Sequence, residues 1–448
     1  MSNLTDMTSG SPFRLLLKFS IPMLIGNIFQ QFYNMVDAIV VGNYEGKEAL
    51  AAVGTSMPLN FFIFSLALGL ASGISIVISQ YFGAKEEANV KKSIATAAYT
   101  IIGASIIMGI LGIVFSRQLL QLLNTPDNIM DQARQYFVIC CAGIVGIGAY
   151  NGIASILRAL GDSVTPLIFL AVASLLNIVL DLVFVIVFHM GVAGVAYATI
   201  ISQFIAAVSC IVYAIKKVPI MRMPLSEFKP DYIIFKKCLR LGLPVTIQNS
   251  FISGSTMALQ GVINGYGDTV MAAATAASRI EQLSIQPGLS IGVAVATFTG
   301  QNIGAGKIDR VKEGFVAATK IILTFSLIML PTIYFGGGLI MNLFTSKADV
   351  DVMQIGIEAI RVTSFFYSFV GMILVTRNLL SGAGDVMLPM FMGFIEVVCR
   401  VLFATVLSLR FGYQGIWWAT GLNWMVTSFV GIARYYSGKW RFKSVIEG

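Results

Sequence analysis

Residues 22–42 read PMLIGNIFQQFYNMVDAIVVG, and this stretch decides what kind of protein the chain forms. It is apolar and long enough to cross a bilayer, which takes about 20 residues as a helix. The polar side chains inside it are Asn27, Gln30, Gln31, Asn34 and Asp37. A carboxylate at such depth is costly unless it is neutralised or paired, so Asp37 is a functional candidate. The alternative is a structural ion pair, which is disfavoured because no basic residue lies within a turn or two of Asp37.

The composition indicates a polytopic membrane protein. Of 448 residues, 56% are hydrophobic and only 12% are charged, whereas soluble domains average about 25% charged residues. The polar start lacks the pattern of a cleavable signal peptide, so we expect the first span to remain as an anchor. The net charge of +8 is typical of basic residues on the cytoplasmic side of a membrane protein, and we expect no nucleic-acid partner. The five cysteines show no metal-binding spacing.

The hydropathy pattern predicts an all-helical integral membrane protein with twelve spans. The predicted spans are 13–43, 50–83, 92–118, 132–158, 163–189, 192–216, 238–266, 270–304, 312–343, 353–380, 386–410 and 412–436. Several exceed the length needed to cross, so we expect them to be tilted or kinked.

The basic residues predict the orientation of these spans. Most of the 30 Lys and Arg side chains fall at one set of span ends, with Arg377 counted among them at the end of the tenth span. Because basic residues collect on the cytoplasmic side, we expect both termini to be cytoplasmic. The longest polar connection lies on the same side. It divides the chain into an N-lobe of residues 1–216, a connection of residues 217–237 and a C-lobe of residues 238–448.

The two lobes repeat one another. The matching pairs are FSIP at 19–22 and LGLP at 241–244, SQYFGA at 79–84 and GQNIGA at 300–305, LGD at 160–162 and AGD at 383–385, and GVAGVAYAT at 191–199 and GYQGIWWAT at 412–420. The offsets are 222, 221, 223 and 221, which indicates a duplication. Each half has an even number of spans, so both enter the membrane from the same side. The repeat is therefore predicted to be parallel, with two six-helix bundles around a central cavity.

Three oxygen-bearing side chains in the N-lobe share one predicted depth. Asp37 lies eight residues before Glu45, Asp181 lies eight residues before His189, and Thr199 lies eight residues after Gly191. Glu45, His189 and Gly191 mark the predicted outer ends of these helices, so each of the three side chains is expected about 12 Å below the boundary. Asn177 lies one turn from Asp181 on the same helical face. Two carboxylates, an amide and a hydroxyl would suit a hard cation such as Na⁺. The same carboxylate pair could instead share a proton, and the remaining alternative is four unrelated polar residues.

The sequence lacks the motifs of ATP-driven transport and of a hydrolase. The glycine-rich stretch ending at Lys307 has Gln301 where a phosphate-binding loop needs glycine, so ATP drive is unsupported. The single histidine, His189, has no partners that would build a hydrolase site. We therefore expect a protein that is not an enzyme and that draws energy from an ion gradient.

The chain resembles the multidrug and toxic compound extrusion (MATE) transporters from about residue 13 to 436. The resemblance is carried by the twelve-span parallel duplication, the aspartate before Val41-Gly42, RALGD at 158–162, NIVLD at 177–181 and GVAG at 191–194. It implies export of organic, often cationic, drugs or metabolites by alternating access, coupled to Na⁺ or H⁺ entry. It also implies an N-lobe ion site of Asp37, Asn177, Asp181 and Thr199, with Asn151 nearby.

Further expectations follow from the same resemblance. It implies a multi-pass protein of the bacterial inner membrane whose partners are the lipid bilayer and small organic cations, and that acts as a monomer. No resident cofactor is expected beyond Na⁺ as the coupling ion. The alternative function within the superfamily is a flippase for lipid-linked precursors, which the two N-lobe aspartates disfavour.

The C-lobe counterpart of the ion site has a different chemistry. With the offsets above, Asp37 maps to Leu259, Asn177 to Arg400, Asp181 to Ala404 and Thr199 to Thr420. The C-lobe has therefore lost both carboxylates and gained a guanidinium, which cannot be deprotonated. Candidate partners of Arg400 are Glu396, one turn earlier, and Glu281 in the eighth span. Our hypothesis is that Arg400 is a fixed internal cation; the alternative is an ordinary pair along one helix.

Overall fold

The computed structural model describes residues 4–123, 125–224, 226–342 and 349–446, and these are almost wholly helical. The first half contains α1 (Pro12–Tyr44), α2 (Gly46–Gly83), α3 (Glu87–Val114), α4 (Ser116–Leu122), α5 (Asp127–Ala142), α6 (Ile144–Ala159), α7 (Val164–Leu182) and α8 (Gly191–Lys217). The second half contains α9 (Tyr232–Asn264), α10 (Asp268–Gly304), α11 (Ile308–Met341), α12 (Val350–Ser364), α13 (Tyr367–Gly382), α14 (Met387–Phe411) and α15 (Gln414–Tyr436).

The prediction of an all-helical membrane protein is confirmed. Each predicted span coincides with one of these helices or with a consecutive pair; residue 343, the predicted end of the ninth span, lies outside the described residues. Among the described residues, eight single helices and two bent pairs are long and apolar enough to cross a membrane. Two predicted spans, α9 and α15, are less apolar than these helices because amide and hydroxyl side chains interrupt them.

The helix breaks recur at equivalent places in the two halves. The α5–α6 pair bends by 47° at Gly143, and the α12–α13 pair bends by 51° at residues 365–366, an offset of 223. Gly191 is the first residue of α8, and Gly412 lies two residues before α15. Both have φ near +60°. Only glycine adopts that conformation without strain. The duplication read from the sequence is therefore also present in the backbone.

The chain forms two compact units. We call Met1–Asp6 with Ile25–Thr246 the first unit, and Met7–Leu24 with Ile247–Gly448 the second unit. Each of α1 and α9 belongs partly to each unit, and the change falls two residues after Pro22 and Pro244. Proline removes an internal hydrogen bond, so a helix yields most easily there. The division at residues 216 and 238 follows the repeat and stays a prediction.

The N-terminal segment is anchored in the core of the second unit. Met7 is fully buried in a cluster that includes Phe298 of α10. Its N–H donates to Oε1 of Gln301 at 2.9 Å, and its carbonyl accepts from Nδ2 of Asn302 at 3.1 Å. Phe19, one turn before Pro22, joins the same cluster. Burial and satisfied backbone groups together explain why this segment belongs to the same unit as α10.

The first turns of α9 pack closely against α2 within the first unit. A Cβ atom at Gly73 would lie 2.6 Å from the backbone nitrogen of Gly242 and 2.8 Å from the carbonyl oxygen of Cys238. These are backbone atoms, which cannot swing aside as a flexible side chain can. Glycine at position 73 is therefore required by the close approach of the two helices.

We expect Gly73→Ala to destabilise the protein by about 1–3 kcal/mol, because the added methyl group overpacks the α2–α9 contact. The matched control is Gly54→Ala in the same helix, where a Cβ would meet nothing within 4 Å. That control should be stabilising by about 0.5–1 kcal/mol, since alanine is the better helix former. Unfolding free energies in detergent measure both, and equal effects would contradict the packing described.

Candidate cation site

The carboxylates of Asp37 and Asp181 come together in the first unit. Asp37 lies on α1 beyond the proline, and Asp181 lies near the end of α7. The two carboxyl groups are within hydrogen-bonding reach of each other. Asp181 is fully buried and Asp37 is half-buried. Their pairing was expected from depth along the helices alone, and the structure brings them into one place.

The oxygens at this place lack donors. Oδ1 of Asp37 and both carboxylate oxygens of Asp181 are shielded from water and accept no hydrogen bond from the described residues. Oδ1 of Asn177, one turn from Asp181, is in the same condition. Buried acceptors are almost always satisfied in folded proteins. Four such oxygens together are a set that a bound proton or metal cation would satisfy.

Asn177 and Thr199 join α7 to α8 beside the carboxylates. The Asn177 amide donates to Oγ1 of Thr199 at 3.5 Å, a long hydrogen bond that leaves Oδ1 of Asn177 free. Asn151 donates to the carbonyl of Ile147 at 2.9 Å, one turn away in its own helix, α6. Its role at the ion site stays a prediction.

An irregular turn follows Asp181. Residues Val183–Val187 form a short π-helix that continues α7. Single π-helical turns interrupt α-helices mainly at functional sites. This π-helical turn begins two residues after Asp181, so the buried carboxylate lies where the winding of the helix changes.

The sequence analysis missed a second layer of polar side chains. Tyr33, one turn before Asp37, is buried and lies within hydrogen-bonding reach of Gln203 on α8. Cys140 of α5 is buried and lies within reach of Asn60 and Tyr136. The spacing of Tyr33 from Asp37 was the available signal, since residues four apart share a helical face. The others depend on tertiary packing.

The donor set favours a hard cation or a proton. In the part of the chain that the structure describes, no three His, Cys, Asp or Glu side chains gather to hold a metal ion. Transition metals prefer nitrogen or sulfur ligands. Carboxylate, amide and hydroxyl oxygens are what Na⁺ and other hard cations take. The arrangement can therefore hold one small cation between two fixed negative charges.

We expect Thr199→Val to weaken cation coupling without unfolding the protein. The change removes one candidate oxygen ligand at nearly constant volume, which costs about 1 kcal/mol, or roughly fivefold in affinity. The measurement is the half-saturating cation concentration for substrate efflux. The control is Thr420→Val, at the repeat-equivalent position, where the hydroxyl donates only to the Ile416 carbonyl at 3.1 Å. A similar shift in both variants would argue against a role for Thr199 as a ligand.

The equivalent place in the second unit holds a buried ion-pair cluster. Nη2 of Arg377, on α13, lies 2.9 Å from Oε2 of Glu396, on α14. Nη2 of Arg400 lies 3.5 Å from Oε1 of the same glutamate. The expected Arg400–Glu396 pair is therefore present. Glu281 of α10, the other candidate partner, lies near enough to Arg400 for the two charges to interact.

Arg377 was counted with the basic residues at the cytoplasmic span ends, but it lies within α13. Its side chain is buried and paired with Glu396. Counting basic residues near span ends assumes that each reaches water, and it cannot foresee a carboxylate supplied by the next helix.

A duplicated bundle of membrane-spanning helices with a buried carboxylate pair defines a membrane transporter. The chain belongs to the MatE family, whose model matches residues 22–183 and again residues 244–406. The two matches begin at Pro22 and Pro244, in agreement with the internal repeat.

Known proteins similar to the chain are transporters of this family. One is the "Probable multidrug resistance protein YpnP" of Bacillus subtilis (strain 168), 34% identical over 441 residues and 97% of each chain. A structure described as the outward-facing conformation of a multidrug resistance MATE family transporter is 26% identical, with a TM-score of 0.91 over 97% of this chain and 98% of that one. A MATE crystal structure in the bent conformation has a TM-score of 0.90 at 26% identity over 98% of both chains.

Proposed function

We propose that the protein is a cation-coupled antiporter that exports small organic, often cationic, drugs or metabolites. The observation that carries the proposal is the set of four shielded oxygens without donors on Asp37, Asn177 and Asp181. Relatives named as multidrug resistance proteins support the substrate class. The same names favour drug export over the flippase alternative.

The coupling follows from charge. Two carboxylates held together away from water repel each other strongly, because the surroundings screen them poorly. A proton or Na⁺ from outside removes that repulsion and supplies the missing partner of the oxygens. Binding therefore favours the arrangement in which α1 and α7 approach, and release of the cation to the cytoplasm favours their separation. Coupling needs only this difference in affinity between two states.

Alternating access would use the chain's own boundaries between units. Asp37 lies in the part of α1 that belongs to the first unit, which begins at Ile25. The part of α1 up to Leu24 belongs to the second unit, and the change falls two residues after Pro22. Cation binding at Asp37 therefore acts on one side of a proline-weakened helix. We propose a multi-pass protein of a bacterial inner membrane because its relatives are bacterial transporters. The distribution of basic residues favours cytoplasmic positions for both termini, and a monomer stays a prediction.

The test is efflux of a fluorescent cationic dye from proteoliposomes under separately imposed Na⁺ and H⁺ gradients. We expect one inward cation gradient to drive efflux and the other to have little effect. A gradient of the driving cation is worth about 2.3 kcal/mol per charge for each 100 mV across the membrane. Efflux that depends on ATP, or that runs equally without any gradient, would contradict the proposal.

A further inference from the structure

The buried cluster of the second unit is more than a helix-to-helix pair. Arg377, Glu396 and Arg400 are each less than a tenth exposed. Glu396 gives one oxygen to each guanidinium, at 2.9 Å and 3.5 Å. Glu281 is half-buried, and the described residues include no ion pair between it and Arg400. We call Arg377, Glu396 and Arg400 the triad.

Arg400 of the triad stands where the repeat places a residue of the cation site. Arg400 is the counterpart of Asn177, and both are buried on equivalent helices, α14 and α7. The positions equivalent to Asp37 and Asp181 hold Leu259 and Ala404, and Ala404 is fully buried. The second unit therefore has the scaffold of the cation site without its carboxylates.

The exchange of charge is reciprocal. Arg377 and Glu396 map, at the offset of 223, to Ala154 and Ala173, which are buried in the first unit. The first unit thus has two carboxylates and no guanidinium at the positions equivalent to the arginines, and the second unit has one carboxylate held between two guanidiniums.

The triad is poorly built as a purely structural element. Nε of Arg377 and Nε of Arg400 are both shielded from water without an acceptor among the described residues. Desolvating charges often costs more than their pairing returns, and apolar replacements of buried ionic triads can be more stable. A role in stability alone therefore does not account for the second guanidinium.

We propose that Arg400, supported by Arg377, is a tethered cation that permanently fills the cation site of the second unit. A guanidinium stays protonated and cannot leave its helix. The second unit is thereby fixed in its loaded condition, and only the first unit responds to the coupling cation. The proposal rests on the proposed cation-coupled function, and it assigns the coupling stoichiometry to one unit.

The test compares two variants of the triad. Arg377→Gln/Arg400→Gln leaves Glu396 without a fixed cation. Adding Glu396→Gln to that pair neutralises the carboxylate as well and serves as the matched control. The readout is the number of cations exchanged per substrate, obtained in proteoliposomes from the substrate gradient at which net flux reverses against a fixed cation gradient.

We expect the double variant to exchange one more cation per substrate than the wild type, because Glu396 then needs a mobile partner. The triple variant should keep the wild-type ratio. An unchanged ratio in an active double variant would overturn the proposal, since a merely structural triad leaves stoichiometry alone. A double variant that transports nothing in any buffer, beside an active triple variant, would also overturn it.

A second readout separates this proposal from the proposed function. In an Asp37→Asn/Asp181→Asn background, the double variant should melt several degrees higher in Na⁺ or at pH 5 than at pH 8 without Na⁺. The triple variant and the background protein should show no such dependence. Indifference of the double variant to both cations would defeat the tethered-cation proposal. A wild type whose efflux ignores both gradients would defeat the proposed function while leaving the melting comparison valid.

Discussion

Asp37→Asn and Asp181→Asn should each reduce gradient-driven efflux to the level of protein-free vesicles. Each substitution removes one of the two carboxylates that we propose hold the cation. It replaces a carboxylate whose oxygen accepts no hydrogen bond from the described residues with a neutral amide. The shape of the side chain is kept, so the fold should survive. The remaining carboxylate can still bind a proton, but it no longer has a partner whose repulsion the proton relieves. Binding and conformation are then uncoupled.

The control for this prediction is Asp131→Asn, which makes the same chemical change at an exposed position of α5. It should transport at the wild-type rate. Equal expression and equal melting of the three variants would show that the loss lies in transport and not in folding. Normal driven efflux by either site variant would remove the carboxylate pair from the mechanism.

Glu396→Gln should produce the largest loss of stability among single substitutions in the second unit. The glutamate balances two buried guanidiniums, and its neutralisation leaves both without a counterion. Removing one partner of a buried ion pair costs about 3–5 kcal/mol, because the remaining charge cannot be rehydrated. Here one substitution leaves two such charges.

The unfolding free energy in detergent measures this effect. Glu313→Gln, on an exposed part of α11, is the control and should change stability by no more than about 0.5 kcal/mol. A Glu396→Gln variant as stable as that control would mean that water or another group solvates the two arginines. It would contradict the buried triad.

The duplication and the proximity of Asp37 to Asp181 were predictable because they depend on position along helices. Equal distances from span ends placed Asp37 and Asp181 at one depth, and matched motifs predicted the repeat that the family model finds twice. The Arg400–Glu396 pair was predictable for the same reason, since residues four apart share a helical face.

Contacts between helices were beyond reach of that reasoning. Arg377 was counted as a span-end basic residue because its partner, Glu396, lies on the next helix, 19 residues away, and the sequence does not show that contact. We did not expect the part of α1 before Pro22 to belong to the second unit. Proline removes a helical hydrogen bond and so predicts where a helix bends, but it does not predict which residues pack on either side of the bend. Tyr33 and Gln203 escaped notice because their proximity is set by the rotation of α1 and α8, which hydropathy does not determine.

Hydrogen–deuterium exchange of the purified protein, with and without the coupling cation, tests whether that cation binds in the first unit alone. We predict slower exchange on cation binding in residues 30–44, 177–187 and 199–203, which carry the site, and no change in residues 377–404. The response should disappear in Asp37→Asn/Asp181→Asn. Cation-dependent protection around the triad, or protection that persists in the double variant, would show that the coupling cation binds elsewhere.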